Sequence, residues 1–370
     1  MIVIAPDSYK GTMSATEVCG IIKNEFLRIK ASEKIKCFPI ADGGEGTVDA
    51  MLFNGGEKII VKVKGPLFEE AESFYGILPD KTAVIEMAAA SGLPMVGNRK
   101  NPMLTTTYGT GQLIRDALDR GCKKILIGLG GSATTDGGIG CAAALGAEFL
   151  DSDGNSVSFN GSGLAEIADI NLTNLDKRIA ETDIEALCDV VSPLYGEKGA
   201  AYIFAPQKGA DSGMVKALDN GLKNLAEVSK RVTGKDNSQV NGAGAAGGLG
   251  FGLISFLGAR LVKGAPAVLK ATGFENAAKN ADLVITGEGC MDNQSLLGKA
   301  PAEVASLSGS TPVVAIVGMS RVTDMSGSNI RKIYVTDHDE RTFEQVLKEC
   351  RDDLAATAKR VVEDFYNGVF

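Results

Sequence analysis

An apolar run at residues 2–5 opens the chain, a polar turn follows at 7–12, and a helix with a legible start comes next. Ser14-Ala-Thr-Glu17 has capping-box spacing, in which the serine hydroxyl bonds forward to a backbone N–H and the glutamate reaches back. Val18, Ile21, Ile22, Phe26 and Ile29 then recur on one helical face. The same strand–turn–helix rhythm returns at 35–38, with a glycine turn at 41–47 and a helix from about Thr47 to Phe53. It returns again in the C-terminal third, where apolar runs at 282–286, 312–317 and 333–336 are followed by Gly287-Glu288-Gly289, by Gly318 and by Asp337-His338. An amphipathic helix from Phe343 to about Tyr366 closes the chain. Strands alternating with helices at this spacing predict a parallel, doubly wound α/β sheet.

The middle of the chain has a different pattern. Residues 58–64, 73–78 and 82–87 read as consecutive short strands separated by Gly65-Pro66 and Pro79-Asp80, which is meander chemistry. Helical stretches, a strand at 124–127 and long glycine loops follow. The expected organisation is therefore a discontinuous five-stranded α/β domain (residues 1–57 and 268–370) carrying an inserted α+β domain (58–267).

Composition narrows the classes of function. The formal net charge is −8 with no basic block, which argues against nucleic acid or an anionic membrane as the main partner. From residue 237 to 259 no charge occurs, but the stretch is glycine and alanine rather than leucine, too weakly apolar for a membrane span. The N-terminus lacks the basic start and long apolar middle of a signal peptide. Seven cysteines with no C-x-x-C pair fit a reduced, cytoplasmic protein. His338 is the single histidine, so a Ser–His–Asp triad or a histidine-ligated zinc would have to run through it. Glycine, at 46 of 370 residues, is well above its usual share of about 7%. Its clustering points to loops built for close approach to a ligand.

Each polar turn of the outer domain follows the carboxyl end of a predicted strand, and in an open parallel sheet those ends share one ligand-binding edge. Asp7, Ser8, Lys10, Asp42, Glu288 and Asp292 are thus expected to converge, with His338 near the same edge. Residues 128–138 hold five glycines, three hydroxyls and Asp136, a composition suited to cradling a phosphate or carboxylate with backbone N–H groups. Gly242-x-Gly244-x-x-Gly247 matches the dinucleotide fingerprint, but the polar residues 235–241 before it are no strand, so NAD binding is not expected. A P-loop is absent because Asn293 stands where its first glycine belongs. Between 286 and 299, Glu288 and Asp292 could hold Mg²⁺ through a few direct bonds plus waters, and Lys299 could neutralise a transferring phosphoryl group. Asp189, in Cys188-Asp189-Val190 after a short apolar run, could serve as general base for a hydroxyl, and Gln207-Lys208-Gly209 adds a second loop lysine.

Ala5-Pro-Asp-Ser-Tyr-Lys10-Gly, Ala41-Asp-Gly-Gly-Glu-Gly46-Thr, Thr105-Thr-Thr-Tyr-Gly-Thr-Gly111, Gly128-Leu-Gly-Gly-Ser-Ala-Thr134, Pro206-Gln-Lys-Gly-Ala210, Gly242-Ala-Gly-Ala-Ala-Gly-Gly248 and Thr286-Gly-Glu-Gly289 closely resemble the bacterial type I glycerate kinase family, in the family's order and along nearly the whole chain. The resemblance implies a flavodoxin-like domain with a second α/β domain inserted. It also implies ATP- and Mg²⁺-dependent phosphorylation of D-glycerate, usually at the 2-hydroxyl. On that mechanism the catalytic candidates are Asp189, Asp42, Lys10 and Lys299, with the base open between the two aspartates. Asp7, Ser8, Gly130, Gly131, Ser132 and Thr134 would bind substrate, Gly287, Gly289, Lys208 and Gly244 the nucleotide, and Glu288 and Asp292 the metal. Two departures stand out. Cys290 replaces the family's usual arginine, removing a bidentate clamp, and Val191-Ser192-Pro193 stands where Asn-Pro is usual. A kinase of the galactokinase–homoserine kinase type, a kinase for another small hydroxy acid, and a ligand-binding or regulatory protein without turnover remain as alternatives. The sequence leaves a homodimer open.

Overall fold

The N-terminal run forms the strand Ile2–Pro6, buried along its whole length, and alternation of its side chains creates two cores. Ile2 and Ile4 pack with Val18, Ile22 and Phe26 of the helix Ala15–Ile29 and with Leu354 and Val361 of the helix Phe343–Tyr366. Val3 and Ala5 face the other way, toward Leu269, Phe274 and Val304. The capping box at Ser14 and Glu17 is formed, and Thr342 with Gln345 builds a second one at the start of the last helix. The protein is described from a computed structural model covering residues 1–293, 295, 296, 299–336 and 341–370; His338 lies outside the described residues.

Two compact units emerge: Met1–Ala41 with Asp49–Asn54 and Ala265–Phe370, and Asp42–Val48 with Gly55–Gly264. The first holds a five-stranded, wholly parallel sheet ordered Ile330–Val335, Val313–Ser320, Leu283–Met291, Ile2–Pro6, Ile35–Cys37. Counted along the chain this is the flavodoxin-like order, and its switch point lies between Ile2–Pro6 and Leu283–Met291.

One expectation is corrected here. Gly287-Glu288-Gly289 is not a turn: the strand continues to Met291, and its neighbour continues to Ser320, with Cys290 opposite Met319. The physical reason is backbone proximity. A Cβ on Gly287 would stand 2.1 Å from the Ile316 carbonyl oxygen, and one on Gly318 would stand 2.4 Å from that of Gly289. These glycines let two strands run close together rather than reverse the chain.

The second unit is built on a six-stranded sheet ordered Arg260–Val262, Asp183–Leu187, Lys124–Gly128, Thr82–Glu86, Glu70–Ile77, Glu57–Lys64. Its first four strands are parallel and its last two join antiparallel, as the meander predicts. The segment Asp42–Val48, expected in the outer domain, groups with this unit. Gly130 N–H donates to the Gly43 carbonyl (3.0 Å) and Val48 N–H to Glu86 Oε1 (2.7 Å), tying the segment to the carboxyl ends of two strands. No helix among the described residues is long and apolar enough to cross a membrane.

Candidate active site

A cavity of about 370 Å³ opens at the carboxyl ends of the parallel strands of the second unit. Three glycine-bearing stretches shape it. The strand Lys124–Gly128 runs out into Leu129, Gly130, Gly131 and Ser132; the segment Asp42–Val48 supplies Asp42 and Gly44; the start of the helix Ala245–Leu257 supplies Ala245 and Ala246. The first two lie backbone on backbone, for a Cβ on Gly128 would meet the Gly43 carbonyl oxygen at 2.2 Å. Leu93, Leu187 and Phe204 add an apolar wall.

The wall at Ala246 is conformationally strained. Ala246, Gly247 and Gly248 have φ of 51°, 67° and 92°, a left-handed run that only glycine adopts freely. At Gly247 a Cβ would lie 1.9 Å from the Thr134 carbonyl oxygen. Gly247→Ala should therefore destabilise the protein by about 3 kcal/mol or more, left-handed strain and the clash adding together. Urea denaturation of both proteins measures it, and a loss under about 1 kcal/mol would contradict this packing.

Two carboxylates stand at the mouth. Asp189 follows the strand Asp183–Leu187, and its Oδ1 accepts from Gly264 N–H at 3.0 Å. Loss of surrounding water holds its carboxyl above the usual carboxylate range. The charge of Asp42 adds to the rise, while the Gly264 N–H and Lys263 oppose it. Asp42 Oδ1 accepts from Gly44 N–H at 3.0 Å, which fixes the glycine turn around it.

Facing them is a buried cation. Lys208, 2% exposed, donates to Ser132 Oγ (2.8 Å) and to the Thr134 carbonyl (2.6 Å), bracing the glycine loop from below. Behind it, the fully buried Asp136 accepts from Thr107 N–H and Thr107 Oγ1–H, each at 2.7 Å, and from Gly138 N–H at 3.1 Å. Burial pulls the Lys208 ammonium down to about 7, against the opposing charge of Asp136.

The first unit gathers a separate cluster at its switch point. The charges of Asp7 and Asp292 both bear on Glu288, and that of Lys299 opposes them. Glu288 Oε1 is buried and has no hydrogen-bond partner, and its carboxyl is raised chiefly by burial. Asp292 Oδ1 accepts from Ser295 N–H (2.9 Å), Ser295 Oγ (3.1 Å) and Lys299 Nζ (3.4 Å). Among the described residues no three metal-ligating side chains stand close enough to hold an ion by themselves. An orphaned carboxylate oxygen beside a second acid nevertheless fits Mg²⁺, which takes one or two carboxylates and completes its shell with water and phosphate oxygens.

Of the residues singled out in the sequence, the structure brings Asp42, Gly130, Gly131, Ser132, Asp189 and Lys208 to one cavity. Thr134 and Gly244 are buried and do not line it. Thr134 offers Lys208 a carbonyl, and Gly244 fits against Pro193, whose carbonyl oxygen a Cβ there would meet at 2.3 Å. Asp7 accepts from Ser8 N–H (2.6 Å) in the turn after the first strand, where Lys10 is exposed. Gly287 and Gly289 belong to the extended strand that carries Glu288. Sequence reasoning missed Glu86, which anchors Val48, and the wall residues Leu93 and Phe204. An acid closing the apolar run 82–86 was the available signal for Glu86; the wall residues look like ordinary core in sequence.

The Glycerate kinase family model matches residues 2–366. The chain is 47% identical to a glycerate kinase of Halalkalibacterium halodurans, over 86% of this chain and 85% of that one. It is also 47% identical to a glycerate 2-kinase of Escherichia coli K12, over 86% and 84%, and 43% identical to a glycerate kinase of Haemophilus influenzae, over 97% of both. A crystal structure of a candidate glycerate kinase 2 from Salmonella typhimurium LT2 superposes with a TM-score of 0.90 at 42% identity, covering 99% of this chain and 98% of that one.

Proposed function

The chain belongs to the glycerate kinase family, and from that premise we propose how its residues divide the work of phosphorylating glycerate with ATP. The cavity of the second unit receives D-glycerate. The observation that carries this reading is the pairing, in one pocket, of a glycine loop braced by a cation with two carboxylates, one of them held above its usual range. A hydroxy acid needs just these two environments, an anion seat and a base.

Asp189 is the base. Its Oδ1 is engaged by Gly264 N–H, so Oδ2 takes the hydroxyl proton, and the raised affinity for that proton makes it a better acceptor than an ordinary aspartate. Asp42 orients the hydroxyl and raises Asp189. The apolar wall keeps water from competing as nucleophile. The acceptor is the 2-hydroxyl, as the name of the E. coli relative suggests. Glu288 and Asp292 would hold Mg²⁺ at the switch point, where nucleotide phosphates bind in such sheets. When bound, the ion neutralises phosphate charge. Lys299, now paired with Asp292, supplies a further positive charge. The thiols are all unpaired, which supports a cytoplasmic setting.

Coupled ADP release tests the reading. Release that requires D-glycerate and Mg²⁺ together is the expected result. Stabilisation of the protein by glycerate with no ADP released would make it a binding protein instead.

A further inference from the structure

Lys208 is the feature that the kinase reading uses but does not explain. Among the described residues lining the cavity it is the one cation, set against two anions, Asp42 and Asp189. Its ammonium has three N–H donors, of which two go to neutral oxygens, Ser132 Oγ and the Thr134 carbonyl. Among the described residues no carboxylate hydrogen-bonds to it. Asp136 bears on it only through space, because the oxygens of Asp136 are engaged by Thr107 and Gly138. A buried ammonium held by neutral acceptors alone is costly, and its third donor has no partner among the described residues. Bracing alone would need only neutral N–H donors, such as a glutamine amide, and no charge.

We infer that Lys208 is the specificity-determining anchor for the carboxylate of the acceptor substrate, with Ser132 and the loop at Gly130–131 beside it. This rests on the cavity being the acceptor site. The charge balance selects a monocarboxylate over a nucleotide phosphate. One negative charge pairs with Lys208 while the far end of the molecule presents a hydroxyl to Asp189. A polyphosphate placed here would bring several negative charges against a lining that holds two carboxylates, Asp42 and Asp189, and one cation. Lys208 thus belongs to acceptor recognition rather than to nucleotide binding, the role first expected of it.

The experiment compares the wild type with Lys208→Met in ADP release, varying D-glycerate and ATP separately. The expected result is a glycerate KM raised about a hundredfold, the scale of losing one partner of a buried charge pair, with the ATP KM within about threefold. Propionate, which keeps the carboxylate and lacks hydroxyls, should compete with glycerate in the wild type; 1,2-propanediol, which lacks the carboxylate, should not. That arm needs no mutant and decides the matter if Lys208→Met does not fold. The glycerate KM of the wild type should also rise with pH above about 7, as the ammonium is lost. Asp136, Asp42, Asp189, the Cys188 thiol and Lys263, whose charge bears on Asp189, are other titratable groups near this pocket, and a flat profile in Lys208→Met assigns the effect to Lys208. A raised ATP KM with glycerate unaffected, or equal competition by propionate and propanediol, would overturn the inference. Absence of any glycerate-dependent ADP release in the wild type would instead sink the acceptor-site reading beneath it.

Discussion

Asp189→Asn should lower kcat by about a hundredfold to a thousandfold while leaving the glycerate KM within a few-fold. The amide keeps the shape and can still receive the Gly264 N–H, so binding survives and only proton acceptance is lost. The pH dependence has a definite sign. Asp189 must be ionised to act, and burial together with the charge of Asp42 raises the pH at which it ionises. Activity should therefore fall as pH drops through a range higher than that of an ordinary aspartate. In Asp42→Asn one of the raising charges is gone, so that acid limb should move to lower pH. Steady-state kinetics across pH measure both effects. Turnover near normal in Asp189→Asn would transfer the role of base to another group, Asp42 first.

Replacing Glu288 and Asp292 together by Gln and Asn should weaken Mg²⁺-dependent ATP binding by about a hundredfold, while any metal-independent binding persists. Titration of the nucleotide with and without Mg²⁺ reads this directly. A second readout needs no ligand. The Glu288 carboxyl is raised in the folded protein, chiefly by burial. A carboxyl raised on folding loses stability as pH rises through that range, so at neutral pH its ionised form is a burden on the fold. Glu288→Gln alone should consequently raise the Tm of the ligand-free protein while it weakens the metal site, the pattern expected where function keeps a destabilising group in place. A lower Tm together with unchanged Mg²⁺ dependence would make Glu288 a structural residue.

The elements that were legible in the sequence are those whose signals are local. The capping box at Ser14, the face from Val18 to Phe26 and the closing helix depend on residues within a few positions of one another, and they formed as expected. The glycine segment at 287–289 reads as a turn in sequence because glycine signals freedom without saying what the freedom is for. Here a neighbouring strand, distant in sequence, occupies the space a side chain would fill. For the same reason the segment Asp42–Val48 could not be placed from sequence: the atoms that hold it belong to Gly130 and Glu86.

What the sequence determined by itself was the class of fold, the family and the small set of acids, lysines and glycine loops from which the chemistry is drawn. Periodicity, caps and ordered motifs survive translation into one dimension. The tertiary structure alone decided which of those groups share an environment. It set Lys208 under Ser132 and Thr134, buried Thr134 and Gly244 outside the cavity lining, and left one oxygen of Glu288 without a partner. Burial and electrostatic proximity depend on distances between remote parts of the chain, and those distances decide whether an acid acts as a base, a metal ligand or a strut.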